Sequence, residues 1–414
     1  MITKNRTLWS ISSAVLALAV AGGLAACSSG QSTAASKPTT FTVWDPYPQF
    51  AAGSGWVDLL ARCGTGAGVK VQRTGFDTTA LTSKVLLAAQ QGNSPDVLIV
   101  DNPVVSTLAS AGVLTTTAQT GIDTSAILPN LLAAGQLNGK AYGIPIGSNT
   151  LALYYNKTIL QKAGVNVSSV KDWASLTAAL AKVKATGDHG ITFSAIGTEE
   201  GSFQFLPWFW GAGAQLTKLD SAQGVSALAL WTDWMKKGYA PNSVINDTQT
   251  TSWQEFSTGK YGFSENGTWQ LGNAQKAGFP YGIIPIPAAN GGAAPAPLGG
   301  EFVTVPVQKD TSTYATSEKI VRCLTSAGNS YTTDSTLTYI APAAAVQQEQ
   351  SAKTPALKVW VAAVQAARGR TAGNLGTKYP VISQQMWTAV QSALTGSKSP
   401  QAALASAQAA ASKK

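Results

Sequence analysis

Carboxylate and aromatic side chains are concentrated in one segment of the chain, residues 199–211. Two adjacent acids, Glu199 and Glu200, are followed by Phe203 and Gln204 and then by a run of aromatic residues. Carboxylates accept hydrogen bonds from hydroxyl or ammonium groups, and aromatic faces pack on the apolar face of a ring. We expect the later aromatic residues to form a helix core. The residues that begin the segment predict ligand contacts at Glu200, Phe203 and Gln204.

Two glycine-containing motifs place further side chains beside a turn. An Asn-Gly pair at residues 266–267 is a turn signal, so Trp269 lies just beyond a turn. Paired glycines ending at Gly300 bring backbone N–H groups close to a ligand, and Glu301 adds a carboxylate. Trp269, Gly300 and Glu301 are therefore candidate ligand contacts, with a core position as the alternative for Trp269.

The composition argues against most catalytic centres. The 414 residues include one histidine and three cysteines, too few for a multi-histidine metal site, a four-cysteine zinc site or an iron–sulfur cluster. No G-x-S-x-G or H-E-x-x-H motif is present, and we predict neither a metal nor a cofactor. A secreted glycoside hydrolase is an alternative, because it needs only two carboxylates about 5–10 Å apart. The acids that could supply them are Asp45, Asp101, Glu200, Glu265 and Glu301.

Positive charge is spread along the whole chain. There are 29 basic and 20 acidic residues, which gives a net charge of +9. Nucleic-acid binding requires a clustered basic stripe, so we predict no nucleic-acid partner. Two arginines lie close together in a polar stretch, Arg368 and Arg370, and we expect both to be exposed; contact with an anionic ligand is the alternative.

The start of the chain has the pattern of an export signal. Basic residues precede an apolar run at residues 11–24, which is shorter than the about 20 residues of a membrane-spanning helix. The sequence Leu-Ala-Ala-Cys ending at Cys27 resembles a bacterial lipobox, whose cysteine is lipidated and becomes the first residue after cleavage. We therefore predict a signal peptide at 1–26, a flexible tether at 27–40 and a lipid anchor at the outer face of the cell membrane. An ordinary secretory peptide is the alternative.

The following sequence alternates short apolar runs with amphipathic segments, which predicts an α/β fold. Strands are predicted at residues 41–44, 69–71 and 97–100, and helices at 56–62, 79–91 and 104–112. The run 97–100 is typical of a strand buried on both faces of a parallel sheet. Ligands bind such folds beyond the carboxyl ends of strands, where Trp44 with Asp45 and Asp101 with Asn102 are candidates. Capping of the following segments is the alternative role of the two aspartates.

Two cysteines, Cys63 and Cys323, remain after the predicted cleavage. An even number of cysteines in an exported protein favours a disulfide. Two separate buried thiols are the alternative, because the sequence does not show whether the two Cα atoms lie within reach.

Eight short motifs follow one another along the chain, and their order and spacing together are specific. They are Thr42–Asp45, Pro95–Val97, Gly139–Pro145, Leu153–Lys157, Gly259–Phe263, Gly267–Trp269, Gly282–Pro287 and Leu298–Glu301. Together they resemble the family 1 extracellular solute-binding proteins, the carbohydrate-binding lipoproteins of ABC importers. The resemblance covers nearly the whole mature chain.

This resemblance implies a two-lobed, type II periplasmic-binding-protein-like α/β fold, with a ligand cleft between the lobes and three hinge crossings. Two sequential domains joined by a single linker are the alternative. The implied limits are residues 37–147 and 285–309 for the N-terminal lobe, and 148–284 and 310–414 for the C-terminal lobe.

The implied function is capture of a mono- or oligosaccharide by lobe closure and its delivery to the permease subunits of an ABC importer. The family often gives a polar sugar contact to the position of Asn149, and Tyr379 lies in a loop at the edge of the cleft. The protein would act as a monomer and not as an enzyme. A binding protein for a peptide or a phosphodiester is a further alternative.

Overall fold

The computed structural model describes residues 40–373 and 375–413. The predicted signal peptide, the lipidation site Cys27 and all but the last residue of the predicted tether lie outside the described residues. Within those residues, no helix combines the length and the apolar character needed to cross a membrane.

The described residues form eleven strands, β1 to β11, and seventeen α-helices, α1 to α17. In chain order the strands are Thr40–Asp45, Lys70–Gly75, Val97–Asp101, Gln136–Leu137, Lys140–Ala141, Ile144–Pro145, Leu151–Asn156, His189–Thr192, Tyr261–Gly267, Tyr281–Ile284 and Glu301–Thr304. The helices are Gly55–Gly66, Thr78–Gln91, Asn102–Ser110, Thr117–Thr120, Pro129–Ala133, Lys157–Lys162, Trp173–Ala185, Glu199–Gly211, Ala222–Lys236, Gln249–Ser257, Leu271–Ala274, Tyr314–Thr325, Ala327–Leu337, Ala344–Lys353, Lys358–Gln365, Tyr379–Leu394 and Pro400–Ala411.

The first sheet has the strand order β2-β1-β3-β11-β6. β1 runs parallel to β2 and β3, whereas β11 runs antiparallel to β3 and β6. Helices α1 and α2 connect β1 to β2 and β2 to β3, so the predicted alternation of strands and helices is confirmed. Residues 97–100 of β3 are buried throughout, as a run of four apolar β-formers predicts.

The second sheet has the strand order β10-β7-β9-β8. Its strand β9 pairs antiparallel with β7 and parallel with β8, and every residue of β9 is buried. Aromatic side chains of α8 pack in the core beside this sheet, as expected for the later part of segment 199–211; they are Phe205, Trp208, Phe209 and Trp210. Helices α9, α16 and α17 contribute to the same core.

The two sheets define two lobes, and the chain passes between them more than once. It leaves the first sheet after β6 and enters the second at β7, and it returns from β10 to β11. Both passages fall where the sequence places hinge crossings, and few connecting strands are the usual basis of lobe closure. The residue limits of the lobes stay a prediction.

The implied lobe limits place all residues from 310 onward in the second lobe, but helix α12 packs beside the first sheet. Ile320, Val321 and Leu324 of α12 pack with Trp56 and Leu59 of α1, in the core beside the first sheet. A disulfide between α1 and α12 accompanies this packing. Helix α12 therefore belongs with the first lobe, whereas α16 and α17 belong with the second.

Cys63 of α1 and Cys323 of α12 form a disulfide, with Cα atoms 5.5 Å apart and a sequence separation of 260 residues. Cys63 is fully buried in the core beside the first sheet. Because both helices pack on one lobe, the bond closes a long loop of chain without tying the two lobes to each other.

Candidate ligand-binding cleft

A cavity of about 320 Å³ gathers residues from seven separate segments. They come from the end of β3, the stretch between β6 and β7, the beginning of α8, the beginning of α10, the turn after β9, the loop before β11 and the stretch before α16. The lining residues are Asp101, Asn149, Thr198, Glu199, Glu200, Phe203, Gln249, Trp269, Gly299, Gly300, Glu301 and Arg370.

Arg370 is the electrostatic centre of the cavity. Its side chain is 2% exposed, which corrects the expectation of an exposed arginine, and it forms ion pairs of 2.7 Å with both Asp101 and Glu199. The guanidinium also lies over the ring of Phe203, 4.9 Å from the ring centroid. Burial by itself would lower the pKa of Arg370, but Asp101 and Glu199 raise that pKa above its usual range. The arginine is therefore a fixed cation that joins β3 to α8.

Glu199 begins α8 and is held by more than the arginine. Its Oε1 accepts hydrogen bonds from Arg370 and, at 2.7 Å, from the hydroxyl of Tyr379, and its Oε2 accepts one from Ser383. The side chain of Tyr379 is 1% exposed, and burial and the Glu199 charge raise the pKa of its hydroxyl well above the usual value. Tyr379 therefore stays protonated and supports Glu199 from behind the cavity.

Glu301 faces the cavity at the start of β11 with two tyrosines behind it. Its Oε2 accepts hydrogen bonds from the hydroxyls of Tyr47, at 3.0 Å, and Tyr339. Burial and the nearby charge of Asp101 raise the pKa of the Glu301 carboxyl to about 7, against the opposing effect of the tyrosine hydrogen bonds and of Arg370. This carboxyl therefore changes charge near neutral pH.

Two aromatic faces border the cavity from the second lobe. Phe203, the fifth residue of α8, and Trp269, just beyond β9, have ring centroids 6.4 Å apart and planes inclined by 47°. Both were predicted as ligand contacts. Trp269 is half-buried, and Phe203 is 7% exposed with Arg370 against one face. The pair forms a bent apolar wall that fits the faces of a flat or chair-shaped ring.

The glycine pair before β11 brings the backbone of the first lobe against the chain that enters the second. Gly300 has φ +103°, and a Cβ there would lie 2.3 Å from the carbonyl oxygen of Gly147. Gly299 and Asn149 exchange backbone hydrogen bonds of 2.9 and 3.2 Å, and both line the cavity. The close approach that paired glycines predict is therefore present, and it occurs at a passage between the sheets.

Five of the predicted ligand contacts lie outside the cavity lining. Two of them, at the end of β1, have other partners. Asp45 is fully buried and accepts hydrogen bonds from Arg73, Trp56 and the backbone N–H of Tyr47. Trp44 packs edge-on against Phe76, with centroids 5.0 Å apart.

The other three support the cavity from behind. Asn102 donates hydrogen bonds to the carbonyl oxygens of Leu298 and Gly300, at 3.0 and 3.2 Å, and so shapes the glycine loop. Gln204 is fully buried; its Oε1 accepts from the Ser194 N–H and its Nε2 donates to the Glu265 carbonyl. Tyr379 is the third, through its bond to Glu199.

Five lining residues are absent from the predicted contacts, namely Thr198, Glu199, Gln249, Gly299 and Arg370; Gly299 was recognised only as one of the paired glycines. Glu199 was signalled by its neighbour Glu200, with which it forms an acidic pair. Arg370 was visible only as part of a polar stretch, because its burial depends on carboxylates that are 171 and 269 residues away in the chain. Gln249 begins α10 and donates its backbone N–H to Glu200 Oε2 at 2.9 Å; no sequence signal marks it.

No group of three or more histidine, cysteine, aspartate and glutamate side chains among the described residues is arranged to hold a metal ion. The carboxylates of the cavity are instead paired with an arginine or bonded to tyrosines and a backbone N–H. The arrangement can accept hydrogen bonds from several ligand hydroxyl or amine groups while an aromatic wall covers an apolar face.

The sequence model of the family described as bacterial extracellular solute-binding proteins matches residues 58–359. The chain belongs to this family. This extracellular solute-binding protein thus has the fold that its motifs imply, and the family's extracellular location agrees with the export signal that the sequence predicts.

Named relatives align over parts of the chain. A binding protein of Brucella abortus (strain 2308) is 30% identical over 176 residues, which are 40% of this chain and 42% of the relative. The maltooligosaccharide ABC transporter solute-binding lipoprotein of Streptococcus pneumoniae (strain ATCC BAA-255 / R6) is 26% identical over 248 residues, 56% of each chain. The solute-binding protein thus spans about half, or less, of the length of these relatives.

Solved structures align over nearly the whole chain. The GacH receptor of Streptomyces glaucescens, studied without ligand and in complex with acarbose and an acarbose homolog, superposes with a TM-score of 0.77. It is 26% identical to this chain, and the superposition covers 91% of this chain and 98% of the receptor. The two-lobed type II fold is therefore established for the described residues.

Proposed function

We propose that this protein captures a mono- or oligosaccharide in the cavity and delivers it to the permease subunits of an ABC importer. The observation that carries the proposal is the combination of a bent aromatic wall, Phe203 with Trp269, and a rim of hydrogen-bonding groups from both lobes. A pyranose ring has apolar C–H faces and hydroxyls at its edge, so it requires both kinds of surface. The proposed rim contacts are Asp101, Asn149, Glu200, Gly300 and Glu301.

The similarities support this proposal. A relative is named for maltooligosaccharide transport, and the structurally similar receptor of Streptomyces glaucescens was solved with acarbose. In this proposal the permease recognises the closed form, in which both lobes contact the sugar, and the protein acts as a monomer.

We propose a carrier rather than an enzyme. Of the acids that a glycoside hydrolase could use, Asp45 and Glu265 are fully buried and lie outside the cavity lining. Asp101 is paired with Arg370. A pair of free carboxylates on opposite sides of a glycosidic bond would have to come from Glu200 and Glu301, both of which already accept hydrogen bonds from the protein.

We also propose that Cys27 carries the lipid that anchors the protein outside the cell membrane. Two acyl chains on one residue give stable anchoring, whereas one chain gives only marginal binding. Replacement Cys27→Ala is expected to release the protein into the medium or to leave it unprocessed. Unchanged membrane retention of this variant would contradict the anchor.

A thermal-shift screen against a library of mono- and oligosaccharides tests the proposed function, because a ligand that binds only the folded state raises the melting temperature. Calorimetry on each hit then measures the affinity, and analysis of the sugar after prolonged incubation tests for turnover. We expect at least one sugar to bind and to be recovered intact. A library without any binder, or a sugar that is cleaved and whose cleavage is abolished by Glu200→Gln or Glu301→Gln, would overturn the proposal.

A further inference from the structure

The cavity has more negative than positive charge. Four carboxylates line it, at Asp101, Glu199, Glu200 and Glu301, and Arg370 is the only basic side chain among the lining residues that the structure describes. A ligand that carries only hydroxyl groups requires acceptors and donors, but it does not require such an excess of acids. The charge balance of the cavity therefore contains information about the ligand.

The arginine compensates only part of this charge. Its two ion pairs, both of 2.7 Å, go to Asp101 and Glu199, so these three side chains together carry one negative charge. Glu199 is further bonded to Tyr379 and Ser383. In this unit each of the two carboxylates is already paired with the arginine.

Glu200 and Glu301 lie outside this unit and face the cavity with neutral partners. Glu200 Oε2 accepts the backbone N–H of Gln249 at 2.9 Å. Glu301 accepts two tyrosine hydroxyls, and both of these bonds end on Oε2. No lysine or arginine among the described residues forms an ion pair with either carboxylate, so the remaining oxygens are available to a donor on the ligand.

Because Glu301 has no ion-pair partner, its ionised form is also costly to hold in the cavity. Burial and the charge of Asp101 raise its pKa to about 7, which means that the free protein holds this carboxylate at a cost that a nearby positive charge would relieve. An aromatic wall adjoins the same cavity at Trp269 and Phe203, and aromatic faces attract cations.

We propose that the preferred ligand is an amino sugar, a saccharide with a protonated primary amine that donates hydrogen bonds to Glu200 and Glu301. This inference rests on the proposed function and narrows its substrate class. Hydrogen bonds between an ammonium group and a carboxylate are stronger than those between neutral groups, and discrimination follows because a neutral sugar leaves both carboxylates without a charged partner.

The test compares saccharides that differ only at the nitrogen. Calorimetry is carried out with glucosamine oligosaccharides, with the same oligosaccharides N-acetylated and with neutral glucose oligosaccharides of equal length. We expect the amine form to bind at least about tenfold more tightly than either neutral form, and to weaken when the salt concentration is raised from about 20 mM to about 300 mM, since a partly exposed ion pair is screened.

Variants then locate the amine. Glu200→Gln and Glu301→Gln are each expected to lower the affinity for the amine form at least about tenfold, and by a larger factor than the affinity for a neutral form. The matched control is Glu349→Gln on α14, an exposed acid that pairs with Lys353 and does not line the cavity; it is expected to change neither affinity. A thermal melt shows whether each variant folds. If Glu301→Gln does not fold, the affinities of Glu200→Gln alone decide the test.

The outcomes separate the two proposals. If a neutral sugar binds as tightly as its amine counterpart, or if the amine form binds without salt dependence, the amino-sugar inference is overturned and the proposed carbohydrate function stands. If no saccharide in the library binds, both are overturned.

Discussion

At the scale of single residues, the aromatic wall should contribute most to affinity. Trp269→Ala removes a large face from the cavity, so we expect a loss of at least about 2 kcal/mol in binding free energy, roughly thirtyfold in affinity. Titration calorimetry with the best sugar of the library measures this loss.

Trp360→Ala is the control for that experiment. Trp360 is fully buried, packs 5.7 Å from Tyr154 and does not line the cavity. Its truncation is expected to cost about 3–5 kcal/mol of folding stability with little change in the affinity of the folded fraction. Equal affinity losses from the two variants would mean that the ligand binds elsewhere.

Glu301 should make stability depend on pH. Its folded-state pKa is raised to about 7 by burial and Asp101, and it is also faced by Tyr47, Tyr339 and Arg370. The folded protein therefore binds more protons than the unfolded chain between about pH 4.5 and 7, and the contribution of this group is present at low pH and lost as the pH rises through 7.

Glu301→Gln removes that contribution. We expect its melting temperature to fall less than that of the wild type between about pH 5 and 8. Glu265 and Asp334, whose pKa values burial also raises, act in both proteins, so the difference between the two curves isolates Glu301. Parallel curves would show that this carboxyl does not titrate in the window.

The residue scale also shows where sequence reasoning stops. Trp269 and Asp45 were both predicted as contacts because each follows a strand or a turn, yet only Trp269 lines the cavity. Asp45 is held by Arg73 on the neighbouring strand, and Arg370 is buried by carboxylates from distant segments. Neither pairing has a local signal in the sequence, because tertiary packing alone brings the partners together.

At the scale of elements, the glycine loop before β11 is expected to tolerate no side chain. Gly300→Ala places a Cβ at φ +103° and 2.3 Å from the Gly147 carbonyl oxygen. Gly53 is a matched control, since it has φ +82° but no atom within 4 Å of the added Cβ. Both changes strain the backbone, but only Gly300→Ala also displaces the entry to the second lobe.

We therefore expect Gly53→Ala to cost about 1 kcal/mol of stability and Gly300→Ala at least about 1 kcal/mol more. Only Gly300→Ala should also weaken sugar binding. Chemical denaturation and calorimetry measure the two effects, and similar results for both variants would refute the importance of this close approach.

Elements with strong local patterns could be predicted, and their packing could not. The first three strands and the helices between them follow from alternating apolar runs, and β3 was expected to be buried on both faces. The implied lobe limits place α12 in the second lobe, whereas this helix packs beside the first sheet, because an amphipathic helix does not specify which lobe its apolar face meets. The predicted disulfide already implied this packing, since a bond between Cys63 and Cys323 requires α1 and α12 to be neighbours.

At the scale of the whole molecule, the covalent and ionic links have different consequences for lobe movement. The disulfide joins two helices of the first lobe and leaves the passages between the sheets free. Arg370, in contrast, binds Asp101 at the end of β3 and Glu199 at the beginning of α8. The arginine therefore adds contacts between the lobes that the protein's own side chains provide.

Ligand binding and the ion pairs of Arg370 should both favour the closed form. A ligand shifts the equilibrium toward the conformation in which it makes more contacts, and here the rim and the aromatic wall belong to different lobes. Arg370→Gln removes the protein's own bridge, so we expect the ligand-free variant to have a larger radius of gyration than the ligand-free wild type, measured by small-angle scattering. The best sugar should reduce the radius in both proteins, with weaker affinity in the variant because closure starts from a more open population. Arg368→Gln is the matched control, since Arg368 is exposed and lies over Trp210 outside the cavity. An Arg370→Gln protein with the wild-type radius would show that the ion pairs do not hold the lobes together.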